Sequence, residues 1–152
     1  MGRPPLPPKK LKKEEAMKRV LFICTHNSAR SQMAEGLVNH DLEGKVQAFS
    51  AGTDPTFVNP LAVAVLQEVG IDISRHRSKS LDEFANDKFD FVISLCDHAA
   101  ESCPVLFGGT KRMHMGFANP AAVTGTKEEK LLFFRNLRDQ NRREIFEFLS
   151  TQ

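Results

Sequence analysis

The apolar run Val20-Leu21-Phe22-Ile23 stops at a cysteine, and Arg30 follows Cys24 six positions later, across Thr25, His26, Asn27, Ser28 and Ala29. No other stretch limits the possible folds so tightly. Consecutive apolar residues without alternation describe a strand buried on both faces, so the chain must supply cover on each side. The small and polar residues after Cys24 turn the chain. Residues 29–40 ("ARSQMAEGLVNH") then carry Met33, Leu37 and Val38 at helical spacing. Strand, tight loop and helix in that order begin a parallel α/β unit.

The alternation continues. Residues 46–50 read as a short strand closed by Ala51-Gly52. Asn59 caps a helix with Pro60 in its first position, Leu61, Val65, Leu66 and Val69 form its stripe, and Gly70 ends it. Ser80 and Glu83 have the spacing of a capping box, which predicts a short helix. Residues 89–95 ("FDFVISL") form a third buried strand ending on Cys96, and residues 111–115 a fourth. Thr126 and Glu129 cap a long amphipathic helix running to Leu149, with Leu131, Phe134, Leu137, Ile145 and Phe148 inward. The expectation is an α/β fold with a four-stranded parallel sheet, occupying residues 17–152 as one domain. Residues 1–16 combine proline and lysine with almost nothing for a core and read as a flexible tail, with a basic docking arm as the alternative. Met17, just before the first strand, would itself serve as a start.

Composition removes several classes. A chain of 152 residues, 41% hydrophobic and 26% charged, suits a single folded core. A net charge of +2, with many lysines in the tail, gives no reason to expect nucleic acid as a partner. No apolar run approaches the roughly 18 residues needed to cross a bilayer. The N-terminus lacks the apolar core of a secretory signal, so the expected compartment is the cytoplasm. Three cysteines, Cys24, Cys96 and Cys103, are an odd number, which in a reducing compartment favours free, catalytic or metal-binding thiols. The scattered histidines make no ligand pair, and no metal is expected; zinc on Cys96, Cys103 and two histidines is the lesser alternative.

Ligands of parallel sheets bind beyond the carboxyl ends of the strands. Cys24 and Cys96 each follow a strand directly, so both thiols fall on that rim. If residues 24–30 wrap the start of the helix, the backbone N–H groups of Thr25, His26, Asn27, Ser28, Ala29 and Arg30 converge on one point. The helix dipole reinforces the positive field, and a tetrahedral oxyanion fits there. Arg30 closes the ring with a bidentate grip. The field favours the attacking thiolate, and Ser31 offers it a hydroxyl. Residues 24–31 thus describe a nucleophile in an anion cradle. The plainer alternative keeps Cys24 as a buried strand end and Arg30 as a surface charge.

"CTHNSARSQMAEG", "FSAG", "VGIDIS", "VISLC", "CP" and "GFANPA" occur in the order found in thioredoxin-coupled arsenate reductases. The chain resembles that family from about Lys18 to the last helix. The family shares the phosphate loop and the three-layer α/β/α, phosphotyrosine phosphatase I-like fold of low-molecular-weight protein tyrosine phosphatases. The resemblance implies a three-thiol relay. Cys24 attacks arsenate, Cys96 attacks the Cys24 sulfur as arsenite leaves, and Cys103 moves the disulfide to Cys96–Cys103, which thioredoxin reduces. No bound cofactor is implied, phosphate and sulfate are look-alike ligands, and the chain is expected to be a monomer. The alternatives are a low-molecular-weight phosphatase acting through a phosphocysteine, a non-catalytic oxyanion-binding module, and, for Cys96 and Cys103, two inert packed thiols.

Three departures from the family pattern carry consequences. Asn119-Pro120 stands where an Asp-Pro is usual, and an amide cannot protonate a leaving group. That tilts the reading toward reductase and away from aryl phosphatase, with slower turnover expected. Ala29 replaces a loop cysteine outside the relay, and His26 replaces the usual glycine. Tolerance of an unusual backbone angle is the preferred reading of His26, a tuned loop charge the alternative. Finally, some relatives hold a potassium ion with an Asn, a Glu, a Ser and an Asp. Asn27, Glu35 and Ser50 match, but Lys79 takes the place of the Asp. Its ammonium could replace the ion or be an ordinary solvated charge.

Overall fold

A computed structural model describes residues 17–96 and 111–152. Strand β1 (Lys18–Cys24) leads into helix α1 (Arg30–Asp41), followed by β2 (Val46–Gly52) and α2 (Pro60–Gln67). After a 3-10 turn at Leu81–Phe84 come β3 (Phe91–Ser94), β4 (Lys111–His114), a second 3-10 turn at Pro120–Ala122 and α3 (Lys127–Ser150). The four strands pair in parallel in the order β2-β1-β3-β4. The expected α/β architecture and all-parallel sheet are therefore present. The predicted tail, residues 1–16, lies outside the described residues.

Strand periodicity divides the core in two. Val20 and Phe22 of β1, Ala48, Phe91 and Ile93 face α1, α2 and α3 in one apolar cluster. Leu21, Ile23, Ala51 and Val92 face the other way, against Leu81 and Phe89. β1 is thus covered on both sides, as its unbroken apolar run required. On the second face Phe49, Phe84 and Phe89 meet edge to face with centroids 5.6–5.9 Å apart. The Arg19 guanidinium lies 4.8 Å from the Phe49 ring and 4.9 Å from the Phe89 ring.

The capping expectations hold where the helices are regular. Asn59 Oδ1 accepts from Leu61 N at 2.8 Å, and Thr126 and Glu129 complete a reciprocal capping box. Gly70, at φ 81°, ends α2 as Ile71 N donates back to Leu66 O at 3.0 Å. The predicted short helix after Ser80 is present as a four-residue 3-10 helix, with Ser80 Oγ accepting from Asp82 N. Three residues per turn put Leu81 and Phe84 on one side, where both join the aromatic cluster. Among the described residues no helix is long and apolar enough to cross a membrane.

α3 is held against α1 and α2 by arginines. Arg142 grips the Asp41 carboxylate with two bonds of 2.7 Å, and Arg138 Nη1 donates to Val65 O at 2.8 Å. Burial pushes the Asp41 carboxyl up, but the Arg142 and His40 hydrogen bonds outweigh it and hold the group below its ordinary value. A lowered carboxylate pKa stabilises the fold above its unfolded value, and the contribution disappears as pH falls through the folded one. Arg142→Met should therefore cost about 1 kcal/mol near neutral pH. In denaturant titrations the difference should close as pH falls below the ordinary carboxylate range, where Asp41 takes up its proton in the folded state.

Candidate active site

The turn after β1 is built around one buried amide. Asn27 takes a left-handed backbone, φ 49°, that asparagine tolerates better than most side chains. Its Nδ2 donates to Ser31 Oγ at 2.8 Å, and its Oδ1 accepts from Gln32 Nε2 at 2.9 Å and Lys79 N at 2.8 Å. Ser31 Oγ lies 2.8 Å from Cys24 Sγ. Because Ser31 accepts from Asn27, its own hydroxyl hydrogen is left to donate to the sulfur. Gln32 spans further, donating to Arg77 O at 2.9 Å while its Oε1 meets His76 Nδ1 at 3.0 Å. Asn27, Ser31 and Gln32 are all fully buried.

Gly52 lets this loop sit where it does. A Cβ there would stand 2.7 Å from Thr25 O and 2.8 Å from Asn27 N, closer than any side chain allows. At the other end, Ala29 occupies the N-cap of α1 and has no side chain able to cap. The first N–H groups of α1 are thereby left for a ligand, at the positive end of the helix.

Cys24, His26, Arg30, Phe57, Asn119 and Pro120 line a cavity of about 220 Å³ above that helix start, with Ser28 and Ala29 also in its wall. Cys24 is a free cysteine, 2% exposed, and Arg30 is 3% exposed. Arg30 Nη1 donates to Phe117 O at 3.3 Å, while Asn141 Nδ2 of α3 donates to the Arg30 carbonyl at 3.4 Å. The site thus joins a sulfur nucleophile, a guanidinium and a helix N-terminus in one pocket, an arrangement suited to a tetrahedral oxyanion.

Cys96 lies on the same rim. Ile23 is in register with Ser94, and Leu95 N donates to Ile23 O at 2.8 Å, so Cys96 stands just beyond the end of β3, on the rim where β1 ends in Cys24. It is fully buried. Cys103 lies outside the described residues.

Two departures acquire structural meaning. The left-handed residue is Asn27, whereas His26 has an ordinary φ, so an unusual backbone angle does not account for the histidine. Its Nδ1 meets Asp54 O at 3.0 Å, a contact that no local pattern announced because Asp54 follows β2. Lys79 is 12% exposed at its side chain, with Nζ 3.6 Å from Glu35 Oε1, 3.5 Å from Ser50 Oγ and 3.1 Å from Arg77 O. Ser50 Oγ also donates to Glu35 Oε1. A potassium ion does not fit this oxygen cage, because an ammonium already fills it. Sequence reading also passed over Gln32, Gly52 and Phe57. Gln32 acts through side-chain bonds to residues distant in the chain, Gly52 through a close backbone approach, and Phe57, 61% exposed, belongs to no apolar stripe.

Comparison with known proteins agrees with this geometry. Residues 19–123 match the low molecular weight phosphotyrosine protein phosphatase family. An arsenate reductase of Halalkalibacterium halodurans is 43% identical over 134 residues, covering 88% of this chain and 96% of that one. A solved arsenate reductase in its phosphate-binding state superposes with a TM-score of 0.73 at 34% identity, covering 89% of this chain and 98% of the other. A thioredoxin-dependent arsenate reductase of Corynebacterium glutamicum gives 0.65 at 26% identity, over 94% of this chain and 67% of its own.

Two outcomes follow from the loop's supports. With Lys79 as resident cation, the thermal midpoint should be equal in potassium and sodium chloride, and Lys79→Met should lose about 2 kcal/mol by stranding Glu35. A midpoint rising sharply with potassium alone contradicts this assignment. Gly52→Ala should push the backbone at Thr25 and Asn27 aside and weaken calorimetric binding of inorganic phosphate about tenfold.

Proposed function

The chain belongs to the low molecular weight phosphotyrosine protein phosphatase family, and from that membership we propose that it is an arsenate reductase driven by its own cysteines. The observation that carries the reading is a free Cys24 sharing one cavity with Arg30 while a second buried cysteine, Cys96, ends the neighbouring strand. A phosphatase of this fold needs the first two residues and has no use for the third.

The chemistry proceeds in three exchanges. Cys24, as thiolate with Ser31 donating to it, attacks arsenic while Arg30 and the backbone N–H groups of Thr25, His26, Asn27, Ser28 and Ala29 hold the other oxygens. Water leaves and an S–As(V) bond forms. Cys96 then attacks the Cys24 sulfur, the S–As electron pair passes to arsenic, and arsenite departs. Two thiols have supplied two electrons, leaving a Cys24–Cys96 disulfide. Attack by Cys103 on Cys96 transfers the bond to Cys96–Cys103 and frees Cys24. An external dithiol protein of the thioredoxin class would restore the thiols, with no bound cofactor. Such a cycle needs a reducing compartment, in keeping with the cytoplasm, and the chain would act as a monomer.

The test is a thiol count on fully reduced protein, held without oxygen, before and after arsenate, with phosphate as control. Three free thiols should fall to one with arsenate alone, with Cys96 and Cys103 joined on peptide mapping, and arsenite should appear in step. Cys24→Ser should abolish arsenite release. Retention of all three thiols through prolonged exposure would remove the reductase reading, and hydrolysis of aryl phosphate surviving Cys96→Ser would put the phosphatase in its place.

A further inference from the structure

We propose that His26 is the proton donor of this site: its imidazolium protonates the hydroxyl that leaves arsenic as Cys24 attacks. The proposal rests on the reductase reading. It begins from a deficit, since losing oxide or hydroxide from arsenate is costly unless a proton arrives with it. Asn119 lines the cavity but is an amide and has no proton to give. Ser28, Thr56 and Asn59 in the same wall hold theirs at neutral pH, Arg30 stays charged, and Cys24 is the nucleophile. Among the described residues of the cavity that leaves His26, whose imidazole has a second ring nitrogen able to carry an exchangeable proton.

One ring nitrogen of His26 is already engaged. Its Nδ1 lies 3.0 Å from the carbonyl oxygen of Asp54, which can only accept, so Nδ1 carries a hydrogen in either charge state. The exchangeable proton therefore sits on Nε2, the nitrogen not engaged by Asp54. The Asp54 carboxylate stands 3.7 Å from Nδ1. Among the described residues, the other charged or titratable groups lining the cavity are Cys24 and Arg30. The backbone beneath the ring is fixed, because Ser78 Oγ donates to His26 O at 2.8 Å and Thr56 N donates to the same oxygen at 3.3 Å. At 41% side-chain exposure the imidazole also reaches solvent, from which it can be reprotonated.

The step balances without a further reactant. The Cys24 thiolate forms the S–As bond to hydrogen arsenate, one As–O bond breaks, and the departing hydroxyl takes the Nε2 proton and leaves as water. Arsenic remains As(V), His26 becomes neutral, and no electrons move until Cys96 attacks.

The deciding experiment compares wild type with His26→Asn, whose amide nitrogen stands near the position of Nδ1 and keeps the donor to Asp54 while removing Nε2. Single-turnover arsenite release from fully reduced protein is followed from about pH 5 to 9, across the histidine range. Inorganic phosphate affinity is measured alongside as a gauge of the cradle. Wild type should slow as the imidazole loses its proton. His26→Asn should be about a hundredfold slower at neutral pH. It should also lack that decline and bind phosphate within about twofold of wild type. A variant as fast as wild type with the same pH profile overturns the proposal, as does a rate loss matched by an equal loss of phosphate affinity. Wild type that binds phosphate yet releases no arsenite refutes the reductase reading itself, a result separate from either.

Discussion

The Asn27 side chain is the interaction on which the site depends. A sharp turn between β1 and α1 needs a residue that accepts a left-handed backbone, and the residue there must also satisfy its own polar atoms in a dry interior. Asn27 does both, with Ser31, Gln32 and the backbone of Lys79 as partners. Each buried polar group left unmet would cost about 1–3 kcal/mol, so this network favours one arrangement over looser ones. The same bonds fix Ser31 under the Cys24 sulfur. Loop shape and nucleophile orientation are therefore a single property of this segment.

Around that loop the fold acts as a frame. Parallel pairing of β1 with β3 brings two strand ends to one rim, and with them Cys24 and Cys96. Gly52 at the end of β2 admits the loop backbone, and Asn39 locks α1 to β2 by exchanging hydrogen bonds with both backbone groups of Ala48. The arginines of α3 bind the carboxylate at the far end of α1 and the last turn of α2. Arg30 is thus presented from a helix held at both ends. Precision of this kind matters more to oxyanion chemistry than an abundance of charge.

Cationic and polar side chains surround the cradle. An ammonium from Lys79 sits among Glu35, Ser50 and the Arg77 carbonyl, which ties the loop to α1 and β2 by a covalently attached cation. An amide stands at position 119, while an imidazole braced by Asp54 stands at position 26. Both side chains line the same cavity.

The strands, the capped helices and the loop from Cys24 to Ser31 were legible in the sequence because each is a local pattern. Unalternated apolar runs imply burial on both faces, Asn59-Pro60 and Thr126 with Glu129 satisfy orphan N–H groups within one turn, and a cysteine six residues before an arginine spans one tight loop. The short helix expected after Ser80 is present as a four-residue 3-10 helix that Ser80 caps, with Phe84 packed against Phe49 and Phe89. Local pattern misled at His26, where the unusual residue type was assigned the backbone strain that Asn27 carries. What the sequence by itself determined was the chemistry available and the order in which the elements present it. Which groups meet was decided only by tertiary structure: His26 with Asp54, Lys79 with Glu35, Gly52 with Thr25, and Asn141 with Arg30. Those contacts join segments far apart in the chain, and their distances depend on the register of a parallel sheet and the packing of its helices, which no short window of residues encodes.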